Sequence, residues 1–149
     1  MNIAYLGIKG LPARGGAERI VESIARRLSE RHCVTVYCNQ HYTNARIRFD
    51  PIRLIRLPSV PGKFTRMPTF DLIAAIHALG RGDYEVIHVH NLEASFVLPL
   101  LNLRYKTVAT AHGRVTTRYN RKSRNGRPQI QVAARSRGAR TRRAKCARL

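Results

Sequence analysis

The chain has 149 residues, enough for one domain and two at most, and its 28 Lys and Arg against 8 Asp and Glu give a net charge of +20. Apolar residues make up 44%, which excludes a wholly disordered chain, and no apolar run approaches the ~18 residues of a membrane span. The first residues lack the basic segment and cleavage site of a secretory signal.

Asn2–Ile8 is mostly apolar and predicts a strand buried on both faces, as in a parallel sheet. Lys9–Gly16 holds three glycines and a proline and reads as a loop. Over Ala17–Arg31 the residues Ala17, Ile20, Val21, Ile24, Ala25 and Leu28 trace one helical stripe, with Arg19, Glu22, Arg26, Arg27 and Glu30 opposite. Val34–Cys38 predicts a second strand. Ile52–Leu57 carries Arg53 and Arg56 and predicts a strand nearer the sheet edge. Pro58–Pro68 reads as a loop, Phe70–Leu79 as a short helix and Gly80–Asp83 as a turn. Glu85–His90 predicts a strand, Ala94–Leu103 a helix and Thr107–Ala111 a strand. This order is that of an α/β fold built on an open, mostly parallel sheet.

The pattern stops at Gly113. Residues 1–113 hold 15 basic and 8 acidic side chains, whereas Arg114–Leu149 hold 13 basic and no acidic ones, with Tyr119 the only aromatic. Unbalanced like charges with little apolar surface predict a disordered Arg-rich tail. Such a tail binds polyanions nonspecifically, nucleic acid or anionic lipid alike, through charge alone. The three cysteines, Cys33, Cys38 and Cys146, show no metal spacing, and three cannot all pair. They fit a reducing, cytoplasmic setting, with Cys33 and Cys38 as small buried hydrophobes.

Four features bear on chemistry. In an open α/β sheet the loop after the first strand lies at the carboxyl ends of the strands, where ligands bind. There Gly15 and Gly16 let backbone N–H groups approach a phosphate at a helix N-terminus, with Lys9 and Arg14 adding positive potential. The loop is not G-x-G-x-x-G, and Asn39 and Gln40 stand where a dinucleotide site has an acid, so a tight turn without ligand is the alternative. His88 and His90 share a strand face but lack a third ligand, so no metal is expected; His90 and Asn91 line the cleft and His88 is a satisfied interior histidine. His112, before Gly113 at the end of the last predicted strand, can bond a ligand oxygen at the same edge. Finally, Arg19, Arg26, Arg27 and Arg31 lie on the polar face of the first helix. They suit an anionic membrane or a solvated surface.

The runs YLGIKGLPARGGAERIVESIARRL, VTVYC, IRLIRLPSVPGKF, PTFDLIAAIHAL, VIHVHNLEASFVLPLL and TAHGR together resemble the N-terminal domain of family 4 glycosyltransferases of the GT-B type, over about three quarters of the chain. They are most similar to the subset containing bacterial rhamnosyltransferases. The resemblance implies a Rossmann-like domain that holds the acceptor and faces a second domain across a cleft. It implies transfer of a sugar from a nucleotide-sugar donor to a saccharide or lipid-linked acceptor, without metal or other cofactor, in cell-surface polysaccharide synthesis. On this footing Gly15 and Gly16 form the diphosphate loop, and His112 is the catalytic-site histidine near the transferred sugar. Glu18 is the acid opening the first helix, with a helix-dipole contact as its alternative role.

The chain departs from the family where Arg14 meets Gly15 without an intervening aromatic residue. The second domain with its Glu-x7-Glu pair has no counterpart after residue 113, and the abrupt change of composition reads as a truncated, frame-shifted sequence. We therefore expect an incomplete domain over 1–113, inactive alone, cytoplasmic or peripheral at the inner membrane face. Missing elements are expected to uncover Phe96, Val97, Leu100 and Leu101. A basic anion-binding module and a gene remnant without function are the competing readings.

Overall fold

The computed structural model describes residues 1–111 and the strand Gln131–Ala133. Strands β1 (Asn2–Leu6), β2 (Cys33–Asn39), β3 (Arg53–Leu57), β4 (Val86–His90) and β5 (Lys106–Thr110) form a parallel sheet in the order β3-β2-β1-β4-β5. One element falls where the sequence pattern gave none. It is β6 (Gln131–Ala133), which pairs antiparallel with β5, Val108 facing Ala133. The fold is thus Rossmann-like α/β, with β3 at one margin as its arginines suggested.

Alternation along β1 divides the core. Ile3 and Tyr5 join Val34, Val36 and Cys38 beneath α1 (Gly16–Ser29), which inserts Val21 and Ala25. Ala4 and Leu6 turn to the opposite face. There they meet Tyr37, Ile87 and Val89 under α2 (Arg66–Arg81), the 3₁₀ segment Leu92–Val97 and α3 (Leu98–Leu101).

Several expectations need correction. The stripe on α1 is only half covered, since Ile20 and Ile24 are 37% and 36% exposed. Helix α2 begins at Arg66, inside the segment read as loop. Pro68 is its third residue, where the N–H has no intrahelical acceptor anyway, so the ring costs the helix nothing. The helix expected over Ala94–Leu103 is instead a 3₁₀ segment followed by one α-turn. Pro99 explains the break: its ring excludes α-pairing to the carbonyl of Ser95, and that carbonyl accepts the Leu98 N–H in a 3₁₀ bond. Val97 and Leu101 are buried, not uncovered; Phe96 is 49% exposed. Cys38 is a buried free thiol as expected, whereas Cys33 is only half-buried, which corrects its reading as a small buried hydrophobe.

Candidate functional site at the carboxyl edge of the sheet

Strands β1 and β4 are neighbours, but the chain leaves β1 toward β2 on one side and β4 toward β5 on the other. Their carboxyl ends therefore border the crevice where open α/β sheets bind ligands. Three strand ends are laced together there. Gly7 has φ +80°, and a Cβ on it would lie 1.9 Å from the His90 carbonyl oxygen. Asn91, at φ 72°, donates its side-chain amide to the Gly7 carbonyl at 2.5 Å and its backbone N–H to the Thr110 carbonyl at 2.9 Å. Only glycine permits the approach at position 7, and asparagine tolerates the left-handed turn at 91.

The histidines of β4 are covered: His90 is buried and His88 half-buried. His90 is 1% exposed and packs with Tyr5 and His88, ring centres 5.6 and 4.1 Å away. His88 is hydrogen-bonded through Nε2 to Thr110 Oγ1 at 2.8 Å. His90 is therefore an interior residue, whereas Asn91 is a half-buried clasp. Among the described residues no group of three His, Cys, Asp or Glu is placed to hold a metal. His112 lies outside the described residues.

The two loop glycines have different surroundings. A Cβ on Gly15 would meet the Glu18 carboxylate at 2.4 Å, because this buried side chain folds back over the start of α1. Nothing lies within 4 Å of the Cβ position of Gly16. Gly15 caps α1 without a side-chain hydrogen bond. Beside the start of α1, the Cβ position of Gly15 is thus taken by Glu18, whereas that of Gly16 is open space. Arg14 and Lys9 are exposed.

Two residues that the sequence pattern did not assign this task hold the loop. Glu22 accepts the Ala13 N–H at 3.0 Å and pairs with Arg26 at 3.1 Å, so it staples the loop to α1. A hollow of about 300 Å³ lies on this outer flank, lined by Ala13, Arg19, Glu22, Ser23 and Arg26. Asn39, fully buried, donates its N–H to the Lys9 carbonyl at 2.9 Å and its side-chain amide to Ser59 at 2.9 Å, and accepts the His41 N–H at 2.9 Å. Its presence in place of an acid was the signal in the sequence; its bonds to the surrounding loops were not legible there.

Asp71 on α2 is 2% exposed, and its Oδ1 has no hydrogen-bond partner among the described residues. Burial, reinforced by the nearby charge of Glu93, raises its carboxyl to about 7.

The family model of Glycosyltransferase Family 4 matches residues 14–146. The chain belongs to glycosyltransferase family 4. The family likeness runs further than its sequence pattern indicated, past residue 113 and through most of the basic segment. A solved structure similar to this family 4 chain is a sucrose-phosphate synthase from Thermosynechococcus elongatus, with TM-score 0.58 and 21% identity. The similarity covers 81% of the present chain and 37% of the synthase chain. At that identity it speaks for a shared fold. No curated protein sequence matched. Among the described residues of this family 4 chain no helix is long and apolar enough to cross a membrane.

Proposed function

We propose that the chain is the acceptor-side domain of a sugar transferase that uses a nucleotide-sugar donor, with rhamnosyl transfer in cell-surface polysaccharide synthesis as the specific reaction. The observation that carries this reading is the open, uncapped start of α1 at Gly16 beside the β1–β4 crevice. Backbone N–H groups with the positive end of a helix dipole suit a diphosphate, and the free space over Gly16 gives it room. Glu18 keeps the same anion off Gly15, so in this reading the donor approaches over Gly16. Lys9 and Arg14 raise the positive potential of the loop. His112, following β5, supplies the hydrogen bond to the transferred sugar.

The test separates fold from binding. Gly16→Ala fills open space and replaces glycine at a helical position, so it should raise stability by about 0.5 kcal/mol. It should also weaken binding of a nucleoside diphosphate, measured by calorimetry, because the methyl group stands where the phosphate must come. Unchanged affinity in the stabilised variant would overturn the reading.

A second reading concerns the membrane. Ile20 and Ile24 stand exposed on α1 among the exposed Arg19, Arg27 and Arg31. We infer that this face touches an anionic bilayer, apolar side chains inserting while guanidinium groups meet headgroups. Ile20→Ser with Ile24→Ser should weaken sedimentation with phosphatidylglycerol vesicles below that of the parent and lower the melt, since only 37% and 36% of these side chains are exposed, whereas Leu72→Ser with Ile76→Ser on α2 should not weaken sedimentation; sedimentation equal to the parent would exclude it.

A further inference from the structure

Among the eight acidic side chains of the chain only Glu18 and Asp71 are buried. Asp71, on α2, is the one with a buried oxygen that finds no hydrogen-bond partner among the described residues. A carboxylate in that condition costs stability that a small apolar residue at the same place would not, so packing alone does not account for it.

The surroundings of Asp71 offer it a charge of the wrong sign. The elements packed on α2 are β1, β3, the 3₁₀ segment Leu92–Val97 and α3. β1 meets it with Ala4 and Leu6, and α3 has no titratable side chain. β3 carries Arg53, whose charge falls on Tyr37 and His77, and Arg56, whose guanidinium reaches the Ile47 carbonyl. On α2 itself stand Arg66, His77 and Arg81, and His77 is hydrogen-bonded to the Tyr37 hydroxyl at 3.1 Å. The 3₁₀ segment carries Glu93, and that negative charge is the one that bears on Asp71.

The 3₁₀ segment is also the weaker side of this joint. Such a helix has poorer hydrogen-bond geometry than an α-helix, and this one has no side-chain cap. It seats on α2 and the sheet through the buried Ala94 and Val97. Its start is the crevice clasp itself: Asn91 is its N-cap, and the Asn91 carbonyl accepts the Ala94 N–H at 3.2 Å. Ala94 in turn closes over Gly7, where an added Cβ would lie 2.9 Å from that of Ala94. A shift of this segment relative to α2 therefore moves Asn91 relative to Gly7.

We propose that Asp71 is a proton-operated latch on the crevice. Protonated, it lets the 3₁₀ segment seat on α2 and hold Asn91 against Gly7. Ionised, it and Glu93 set two like charges across one joint; the segment lifts, Asp71 gains water and the clasp loosens. The proton passes to and from solvent. Burial and Glu93 raise the seated carboxyl to about 7, whereas the lifted one returns to the ordinary 3.8. The latch therefore closes in acid and opens as pH rises through neutrality. It is independent of what the crevice binds.

The full-length, isotope-labelled chain is titrated with acid and base while the Asp71 carboxyl carbon and the Asn91 side-chain amide are followed together. Both should change with one midpoint at about 7. Solvent exchange of the Asn91 side-chain amide, corrected for its ordinary pH dependence, should quicken on the order of thirtyfold from about pH 5.5 to about pH 8. Asp71→Asn and Asp71→Ala should both hold the Asn91 signals at their acid position throughout; the alanine guards against a new bond from the asparagine amide. Glu93→Gln should keep the change but move its midpoint to lower pH, since the like charge is gone. A change at Asn91 that persists in both Asp71 variants would belong to the neighbouring histidines and overturns the latch. So does an Asp71 carbon that titrates near 3.8, an Asn91 amide that stays still while Asp71 titrates, or a midpoint that Glu93→Gln leaves in place.

Discussion

The side-chain amide of Asn91 donates to the carbonyl oxygen of Gly7 at 2.5 Å, joining the end of β4 to the end of β1 across the crevice. Neither residue has an ordinary backbone conformation, and each makes room for the other. The expected consequence is sharp sensitivity at both positions. Gly7→Ala places a methyl group against the His90 carbonyl at a positive φ and should cost on the order of 3 kcal/mol. Asn91→Gly loses one hydrogen bond but keeps the turn, so it should cost about 1 kcal/mol, less than Asn91→Val. Chemical denaturation of the three variants ranks them.

Asp71 makes stability depend on pH. Its folded carboxyl stands at about 7 against an ordinary 3.8, so between these values the folded chain holds a proton that the unfolded chain releases. Stability is therefore fullest in acid with respect to this group. It declines as pH rises through the window and levels off above it, for a total penalty on the order of 4 kcal/mol. Asp71→Asn removes the ionisation. Its stability curve should lie above the parent at about pH 8 and converge with it near pH 4. Parallel curves across that range would show that the carboxyl is not desolvated in the folded state.

Glu22 governs how firmly the glycine loop is held. Glu22→Ala leaves the Ala13 N–H without its acceptor and should cost about 1 kcal/mol. The Ala13 amide should exchange with solvent faster, whereas amides of β1 and β4 should not change. Glu22→Gln retains an acceptor oxygen and should fall between the two.

Arg66 puts positive charge at the positive end of its own helix's dipole, with no acid in the first turn to offset it. Arg66→Glu should stabilise the chain by about 1 kcal/mol at low salt, and the gain should shrink as salt is added, since dipole interactions at a helix end are screened. Melting curves at two ionic strengths measure it.

The five parallel strands were legible because each is a short apolar or β-branched run bounded by polar or turn residues, and α1 because its apolar positions recur at helical spacing. Boundaries failed where proline has two meanings. Pro68 suggested a loop but sits harmlessly in a first helical turn, and Pro99 sits inside what looked like one continuous helix. Alternation placed His88 and His90 on one strand face, but nothing in the period says whether that face is the rim or the interior; packing with Tyr5 decides for the interior. Gly15 and Gly16 looked equivalent because the folded-back Glu18 carboxylate is a tertiary fact.

The margin formed by β3 also carries a consequence. Arg53 stands exposed on it, and the Arg56 guanidinium reaches the Ile47 carbonyl, drawing the preceding connection along the outermost strand. A stray extended peptide seeking backbone partners there meets fixed positive charge and an occupied flank, while β6 occupies the side of β5 away from β4. Lateral growth into fibrils is discouraged at the β3 border.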